Sequence, residues 1–384
     1  MNTDPSRLPT PTSPSTASPA TAGLASAPPA WGAETLRALL PAFRVDETQV
    51  SLGYGEQWCF DAKPTGEAQP QGVTVLLEHG LIRVAGKDAL TFLQGQLTND
   101  MLAVSGDRAQ ASGYCNPKGR LLGTFWIWRE GDTPADGSGG PGAEPSFLLA
   151  CSRDLSTMLA KRLRMFVMRA KVKVEWLDAS TVLLGLVGER AIEALTDALP
   201  APVHLPRAGT SVRAIVPVEI ALIADRVTRF AQASTGWLDT EYWRRLEIES
   251  GVARVNIATQ ERFVPQMLNF ELTDGVSFTK GCYPGQEIVA RTQYLGKSKR
   301  RMFIGQGQGD VPASAQDVHG DAGTSGEPVG TIVLAAASQA GHWVALFECR
   351  IAASDAALRV GTQALRLLAL PYSISDAPAE SAAS

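Results

Sequence analysis

The feature that most constrains the fold is a strand–turn–strand pattern in the first half of the chain. Residues 108–115 and 121–128 are strand-like runs that flank the turn Asn116-Pro117-Lys118-Gly119. Such a turn predicts a hairpin, because proline presets φ and glycine tolerates a positive φ. The chain is therefore expected to contain antiparallel pairing.

Strands and helices are mixed along the remaining chain without regular alternation. Residues 73–77 and 81–84 predict a second hairpin through Glu78-His79-Gly80, with His79 as a turn residue rather than a ligand. Apolar spacing predicts helices over residues 86–100 (capped by Asp88), 154–167, 190–199 and 239–250. No Gly-x-Gly-x-x-Gly motif or βαβ repeat occurs, so the predicted fold class is α+β rather than a dinucleotide-binding fold.

The domain organisation follows from length and composition. A chain of 384 residues is long enough for roughly two or three domains. Residues 1–30 are rich in Pro, Ser, Thr and Ala and predict a disordered tail. Residues 31–300 are interpreted as a body of two sub-domains divided near 150–180. Strand-like runs within 301–375 predict a β-barrel-like domain, and 376–384 a second tail.

Charge and cysteine content exclude several classes. The net charge of −4 is unfavourable for nucleic-acid binding by the whole surface. No apolar run is long enough for a membrane span, so no membrane role is expected. The five cysteines are far apart in the sequence, which predicts neither a disulfide framework nor a metal site built from neighbouring ligands. This spacing suits a reducing compartment, here interpreted as the cytoplasm.

Residues 279–301 carry the strongest functional signal. Cys282 lies between glycines with Lys280 two positions before it, and a basic run occupies 297–301. Cys282 is either a functional thiol whose pKa is lowered by Lys280, or a small buried residue that packs a turn. The basic run is either a solvated connection or a surface that attracts an RNA backbone.

A second polar group follows the thiol at short spacing. Gln286, Glu287 and Arg291 would lie on the helix expected after Gly285. Glu287 and Arg291 are four apart, so they either pair on one helix face or line a pocket for a polar heterocycle. Gly281 and Gly285 are expected to permit turn geometry or a close backbone approach.

These residues also carry a family resemblance. The segment Lys280-Gly281-Cys282-Tyr283-Pro284-Gly285-Gln286-Glu287 resembles the signature of the YgfZ family of folate-binding proteins. Similar matches, in the family's order, are residues 92–100, the turn 116–120, and Pro265-Gln266 with Asn269. The family is related in fold to the glycine-cleavage T-protein, an aminomethyltransferase.

The resemblance implies a three-part ring with a folate-sized central opening and a C-terminal β-barrel-like domain. It implies binding of tetrahydrofolate or a derivative, and a role in assembling or maintaining iron–sulfur proteins, including cluster-dependent tRNA-modifying enzymes. The implied partners are iron–sulfur client or scaffold proteins. Direct tRNA binding is the interpretation that the sequence supports least. Cys282 would be the functional thiol beside Lys280, holding a transient cluster together with partner ligands, because one cysteine cannot hold a cluster alone. The candidate folate-binding residues are Gly281, Tyr283, Gly285, Gln286, Glu287, Arg291, Asn116 and Gln266.

Two departures bear on catalysis. Where T-proteins carry a Leu-Asp-Asp run, this chain has Leu122-Gly123-Thr124, and neither Gly123 nor Thr124 can act as the acid or base. Conventional aminomethyl transfer is therefore not expected, although a folate-dependent aminomethyl- or methyltransferase is the alternative function. T-proteins also have an arginine in the helix before their Glu-Ala-Gly stop, where this chain has Trp243. Trp243 either stacks on a pterin ring or packs in the core.

Overall fold

The computed structural model describes residues 70–131, 144–178, 180–196, 200–222, 236–294, 298–320, 327–338 and 341–374. The expected terminal tails and most of the loop predicted at 131–145 lie outside these residues. None of the helices in the described part of the chain is both long and apolar enough to span a membrane.

The first sheet is antiparallel and has the strand order β3-β4-β5-β2-β6. Its strands are β2 (His79–Ala85), β3 (Gln110–Cys115), β4 (Leu121–Arg129), β5 (Ser146–Ser152) and β6 (Lys173–Trp176). The predicted β3–β4 hairpin is confirmed. Helix α1 (Ala89–Gln94) precedes β3, and helix α2 (Arg153–Val167) packs against β2 and β6.

The edges of this sheet differ from each other. Strand β3 is covered at one end, where Leu97 bridges to Tyr114. This contact also explains why α1 ends earlier than the predicted helix over 86–100. Asp88 makes no side-chain cap to α1 and accepts a hydrogen bond from the Lys171 backbone instead. Among the described residues, strand β6 pairs with β2 alone and forms the other edge.

The second sheet has the order β10-β1-β7-β9-β8. Its strands are β1 (Gly72–Val75), β7 (Thr181–Val187), β8 (Val203–Ala208), β9 (Ser211–Glu219) and β10 (Gly236–Trp237). Helix α3 (Glu189–Glu193) packs on it and is shorter than the predicted helix over 190–199, of which 197–199 lie outside the described residues. Helix α4 (Thr240–Glu249) is capped by Asp239.

The predicted hairpin between residues 73–77 and 81–84 is wrong. Strand β1 pairs with β7 and β10, whereas β2 pairs with β5 and β6 in the other sheet. The Leu76 amide still donates a hydrogen bond to the Leu183 carbonyl, and the chain then crosses to the other sheet. His79 therefore begins a strand and is buried, not a turn residue.

The C-terminal strands form a closed barrel in the order β11-β14-β13-β12-β15-β16, with β16 pairing back to β11. These strands are β11 (Arg300–Gln308), β12 (Asp317–Gly320), β13 (Gly330–Ala337), β14 (His342–Arg350), β15 (Leu358–Val360) and β16 (Gln363–Leu368). The predicted α+β class and C-terminal barrel are confirmed.

The segment 251–285 joins the three sheets and contains little regular structure apart from the 3₁₀ turn Pro265–Leu268. Helix α5 (Gln286–Tyr294) follows it. Buried residues of this segment, such as Val255 and Phe270, share one apolar core with the first sheet and the barrel. The segment therefore fixes the barrel against the body.

Candidate functional site

Cys282 lies on the surface immediately before helix α5. It is exposed, whereas the other described cysteines, Cys115, Cys151 and Cys349, are buried. Burial raises the pKa of Cys115 to about 12 and that of Cys349 to about 11, and it also raises the pKa of Cys151. A thiol reacts as the thiolate and must be accessible, so Cys282 is the described thiol available for chemistry. The buried-turn alternative is wrong for its side chain.

Lys280 anchors the thiol turn to the first sheet. Its Nζ donates hydrogen bonds to the backbone carbonyls of Gln94 and Leu97, both at 2.6 Å, and of Asn99 at 2.9 Å. An ammonium has three donors, so these carbonyls use all of them. Burial lowers the pKa of Lys280 to about 8, with Asp100 opposing the shift. The expected effect of Lys280 on the Cys282 thiol stays a prediction.

The polar residues at 98–99 strengthen this anchor. Thr98 Oγ1 donates to the Gly275 carbonyl and accepts from the Gly113 amide, each at 2.7 Å. Asn99 Nδ2 donates to the carbonyls of Ala111, at 2.8 Å, and Asp274. The matched sequence stretch 92–100 therefore serves to hold residues 274–280 against β3.

Two glycine turns meet behind the thiol. Gly285 has φ +81°, and a Cβ there would lie 2.4 Å from the Asn116 carbonyl oxygen. Gly119 has φ +71°, and its Cβ would lie 2.9 Å from Ile288 Cβ. Asn116 Oδ1 accepts from the backbone amides of Lys118 and Arg120 at 2.9 and 3.1 Å, which shapes the β3–β4 turn. Gly281, by contrast, faces open space.

Gln266 and Asn269 connect helix α5 to the barrel. Gln266 Nε2 donates to the Val289 carbonyl at 2.7 Å, and its backbone carbonyl accepts from Arg301 at 2.9 Å. Asn269, at φ +56°, donates through Nδ2 to the Met302 carbonyl at 2.8 Å. Gln266 Oε1 is buried without a hydrogen-bond partner.

The remaining predicted site residues, in and just before helix α5, differ from one another in exposure. Tyr283 is buried, with its pKa raised by burial, and Lys280 Nζ lies 5.4 Å from its ring centroid. Gln286 starts α5 and is half-buried, while Glu287 and Arg291 are exposed. Among the ion pairs of described residues, none joins Glu287 to Arg291.

The basic run is partly neutralised by acids of the barrel and of the segment 251–285. Arg300 pairs with Glu348, and Arg301 pairs with Glu271. Lys299 is exposed and residue 297 lies outside the described residues. Two of its four cations are therefore engaged in holding β11 in place.

A cavity of about 320 Å³ lies where the two sheets and the barrel meet. Its lining comes from four places: the start of β2, the β5–α2 junction, helix α4 with the residues after it, and the barrel. These residues are Glu78, Ser152, Asp154, Arg244, Arg254, Asn256, Val311, Pro312, Ala313, Ser314, Leu334 and Ala335.

An ion-pair network forms the floor of this cavity, and its members are buried except for Glu78 and Arg244, which are partly exposed. Arg254 Nη2 donates to Glu78 at 2.9 Å and to Glu247 at 3.1 Å. Arg244 also pairs with Glu78, and His79 Nε2 lies 2.9 Å from Glu247 Oε1. Burial raises the pKa of both glutamates, but Arg254, together with Arg244 at Glu78 and His79 at Glu247, outweighs burial and holds each pKa below the usual range. Both carboxylates are therefore charged at neutral pH.

Two polar atoms of residues lining the cavity have no protein partner. Arg254 Nε and Asp154 Oδ1 are buried, and neither forms a hydrogen bond within the described chain. Unpaired buried polar atoms are costly, and a bound ligand is one explanation for them. The pair offers one donor and one acceptor to a polar molecule.

Sequence reasoning missed this cavity. Its charges come one at a time from segments far apart, such as Glu78 and Arg254, which are separated by 176 positions. One local signal was available: Arg254 interrupts the apolar run Val252-Ala253-Arg254-Val255. A charge within such a run usually needs a buried partner.

The two departures from the T-protein pattern have structural roles. A Cβ at Gly123 would lie 2.8 Å from Leu159 Cδ1, so the glycine lets α2 approach β4. Thr124 Oγ1 accepts from the Val255 amide at 3.0 Å. Trp243 packs in the core over the Arg213 guanidinium, 5.5 Å from its ring centroid, so it is a core residue.

Within the described residues, no group of three or more His, Cys, Asp or Glu side chains could hold a metal ion.

Comparison with solved structures shows the fold. The glycine cleavage system aminomethyltransferase T from Bartonella henselae superposes with a TM-score of 0.60 at 16% identity, covering 79% of this chain and 86% of the other. The protein thus has a T-protein-like fold.

Sequence comparison shows the family, although no family model matches the chain. The tRNA-modifying protein YgfZ from Yersinia pestis (strain Pestoides F) is 29% identical over 336 residues, which is 83% of this chain and 98% of that protein. The tRNA-modifying protein YgfZ from Edwardsiella ictaluri (strain 93-146) is 30% identical over 310 residues, which is 76% and 89% of the two chains. The chain belongs to the YgfZ family.

Proposed function

We propose that the protein is a tetrahydrofolate-binding accessory factor for the assembly or maintenance of iron–sulfur proteins, including cluster-dependent tRNA-modifying enzymes. The observation that carries the proposal is the exposed Cys282 on a turn held by Lys280 and by the Gly119–Gly285 contact. A rigidly held, accessible thiol suits the transfer or shielding of a cluster edge. The names of the relatives, which are called tRNA-modifying proteins, support the connection to tRNA modification.

Tetrahydrofolate is proposed to bind in the cavity between the sheets and the barrel. A volume of about 320 Å³ is at the lower end of the range for small-molecule sites. Asp154 Oδ1 and Arg254 Nε, both unpartnered, would bind a donor and an acceptor of the ligand. Bound tetrahydrofolate would supply one-carbon chemistry.

The cluster is proposed to be cargo shared with a partner protein. Clusters are usually held by four ligands, and Cys282 supplies one. The client or scaffold protein would supply the others. Direct tRNA binding through residues 297–301 is not favoured, because Arg300 and Arg301 are paired with acids of the protein itself.

The folate contacts predicted around α5 remain a separate proposal. Gly281, Tyr283, Gly285, Gln286, Glu287, Arg291, Asn116 and Gln266 were expected to contact the ligand. Calorimetric titration of tetrahydrofolate into Gln286→Ala and into Asp154→Asn compares the two locations. Weaker binding to Asp154→Asn alone favours the cavity, and weaker binding to Gln286→Ala alone favours the helix.

The test of function uses wild type and Cys282→Ala. Both are titrated with tetrahydrofolate, and both are expressed in a host that lacks its own YgfZ protein, where the activity of a cluster-dependent tRNA-modifying enzyme is assayed. Cys282→Ala is expected to bind folate like wild type but not to restore the enzyme. Full restoration by Cys282→Ala refutes the role of the thiol, and an absence of binding to wild type refutes the folate part.

The same proteins test the alternative function. A folate-dependent aminomethyl- or methyltransferase would turn over a one-carbon donor with tetrahydrofolate in solution. We expect no such turnover, because Thr124 Oγ1 is engaged with Val255 and Gly123 carries no acid or base. Turnover that survives purification to homogeneity would establish the alternative.

A further inference from the structure

Three large apolar side chains are exposed at and just beyond the C-terminal end of helix α2. Met165 is 76% exposed, Phe166 is 43% exposed and Met168 is 87% exposed. Large apolar side chains at adjacent positions on a surface mark interaction sites more often than isolated ones do. We name the exposed residues of 161–173 the α2 patch.

The α2 patch is also the most basic stretch of the described chain. Residues 161–173 contain six cations and no acid, in a chain whose net charge is −4. The cations are Lys161, Arg162, Arg164, Arg169, Lys171 and Lys173. This charge is local, so it distinguishes the patch from the rest of the surface.

Little of this charge is neutralised within the protein. Lys173 pairs with Glu175 at 2.7 Å, and Arg164 Nε donates to the Val174 carbonyl at 2.8 Å. Lys161, Arg169 and Lys171 are exposed, and no ion pair joins any of them to another described residue. These three cations are available to an outside partner.

The backbone conformation at the end of α2 supports the interpretation of the α2 patch as a binding site. Met168 follows the last helical residue with φ +43° and ψ −103°. A positive φ is uncommon for a residue other than glycine, and such conformations cluster at binding sites. The conformation occurs at the most exposed methionine of the patch.

The composition favours a protein partner over a nucleic acid. Met, Phe and Arg are enriched at protein interfaces, and flexible methionines adapt to different partners. Single-stranded nucleic acid is bound by stacking of successive bases on several aromatic rings, but the patch exposes one ring, Phe166, between two methionines. We propose that the α2 patch docks a partner protein whose surface has an apolar centre and an acidic rim. The docking does not depend on folate binding or on the thiol.

Binding by the full chain is measured with a labelled helical peptide that carries leucine on one face and glutamate on the other. Control peptides replace glutamate by lysine, or leucine by serine. Poly(U) RNA and phosphatidylglycerol vesicles are tested alongside. The variants are Met165→Gln/Met168→Gln and Arg169→Gln/Lys171→Gln. The control Arg350→Gln/Arg359→Gln removes the same charge from exposed positions on the barrel.

We expect the leucine–glutamate peptide alone to bind, and each patch variant to weaken it by at least about tenfold, as for central interface residues. The barrel control should bind like wild type. Equal binding by the patch variants overturns the proposal. Binding of RNA or vesicles in place of the peptide, lost in the same variants, also overturns it and assigns the patch to that class.

Methionine oxidation tests whether the patch is free. With dilute hydrogen peroxide, Met165 and Met168 should oxidise quickly, and Met101 and Met302, both fully buried, should not. The peptide should protect the first two. If Met165 and Met168 are protected in the free chain, another part of the chain covers them and the proposal fails.

Discussion

The ion-pair network on the cavity floor gives the sharpest stability prediction. In Arg254→Met, Glu247 would lose its arginine and keep only His79 as a partner. The side chains of Arg254 and Glu247 are 9% and 8% exposed, so the remaining carboxylate would stay out of water. Breaking a buried pair from one side costs roughly 3–5 kcal/mol. We expect a loss of that size in the free energy of unfolding.

The assay is urea unfolding followed by tryptophan fluorescence and by far-UV circular dichroism, since two probes reveal whether the units unfold together. Arg359→Met, at an exposed barrel position, is the matched control and should change stability by less than about 0.5 kcal/mol. The double variant Glu247→Met/Arg254→Met removes both charges. It should cost less than Arg254→Met alone, because no buried charge is left unpaired.

Two results would refute this reasoning. One is a loss below about 1 kcal/mol in Arg254→Met, which would mean that water reaches Glu247. The other is a double variant whose loss equals the sum of the losses in Arg254→Met and in Glu247→Met, measured in the same assay, which would mean that the residues do not interact.

Three further predictions follow from individual residues. Gly285→Ala should lower the melting temperature strongly, because residue 285 has a positive φ and the new Cβ would clash with the Asn116 carbonyl. The control Gly281→Ala, where the Cβ would meet open space, should leave the melting temperature unchanged. Similar effects of the two substitutions would contradict the turn contact. The free energy of unfolding should fall as pH drops below about 4.5, because Glu78 and Glu247 have lowered pKa values in the folded protein and the unfolded chain takes up protons first. In acid unfolding, Glu247→Gln should lose stability with pH less steeply than wild type. Equal slopes for the two proteins would contradict the role of Glu247. Peptide mapping after brief native alkylation should find Cys282 labelled and Cys115, Cys151 and Cys349 unlabelled; labelling of Cys115 at the same rate would contradict its burial.

Local chemistry could be predicted from the sequence, whereas non-local pairing could not. The β3–β4 hairpin was predictable, because the turn 116–119 itself determines the pairing. The hairpin at residues 73–84 was wrong, since β1 finds its partner in β7, more than 100 positions away. Apolar runs of similar length do not specify which run they pair with.

The site shows the same division. The thiol segment was recognisable from Lys280, Cys282 and Gly285, because its special residues are adjacent in sequence. The cavity was not, because Glu78, Asp154 and Arg254 come together only after the sheets and the barrel pack. The thiol and the cavity nevertheless share a connection: the segment after Arg254 passes β4 and reaches Asn116, whose Nδ2 donates to Glu261 at 3.1 Å.

The unpaired edge of the first sheet has a consequence for handling the protein. A closed barrel has no edges, but β6 is an edge strand that pairs, within the described part of the chain, with β2 alone. The strand is only four residues long and carries Lys173 and Glu175, and short, charged edge strands resist self-association. The variant Arg169→Gln/Lys171→Gln, used to study binding, removes two charges next to this strand and beside exposed methionines. Such variants should be purified in dilute solution and checked by light scattering, so that precipitation is not mistaken for lost binding.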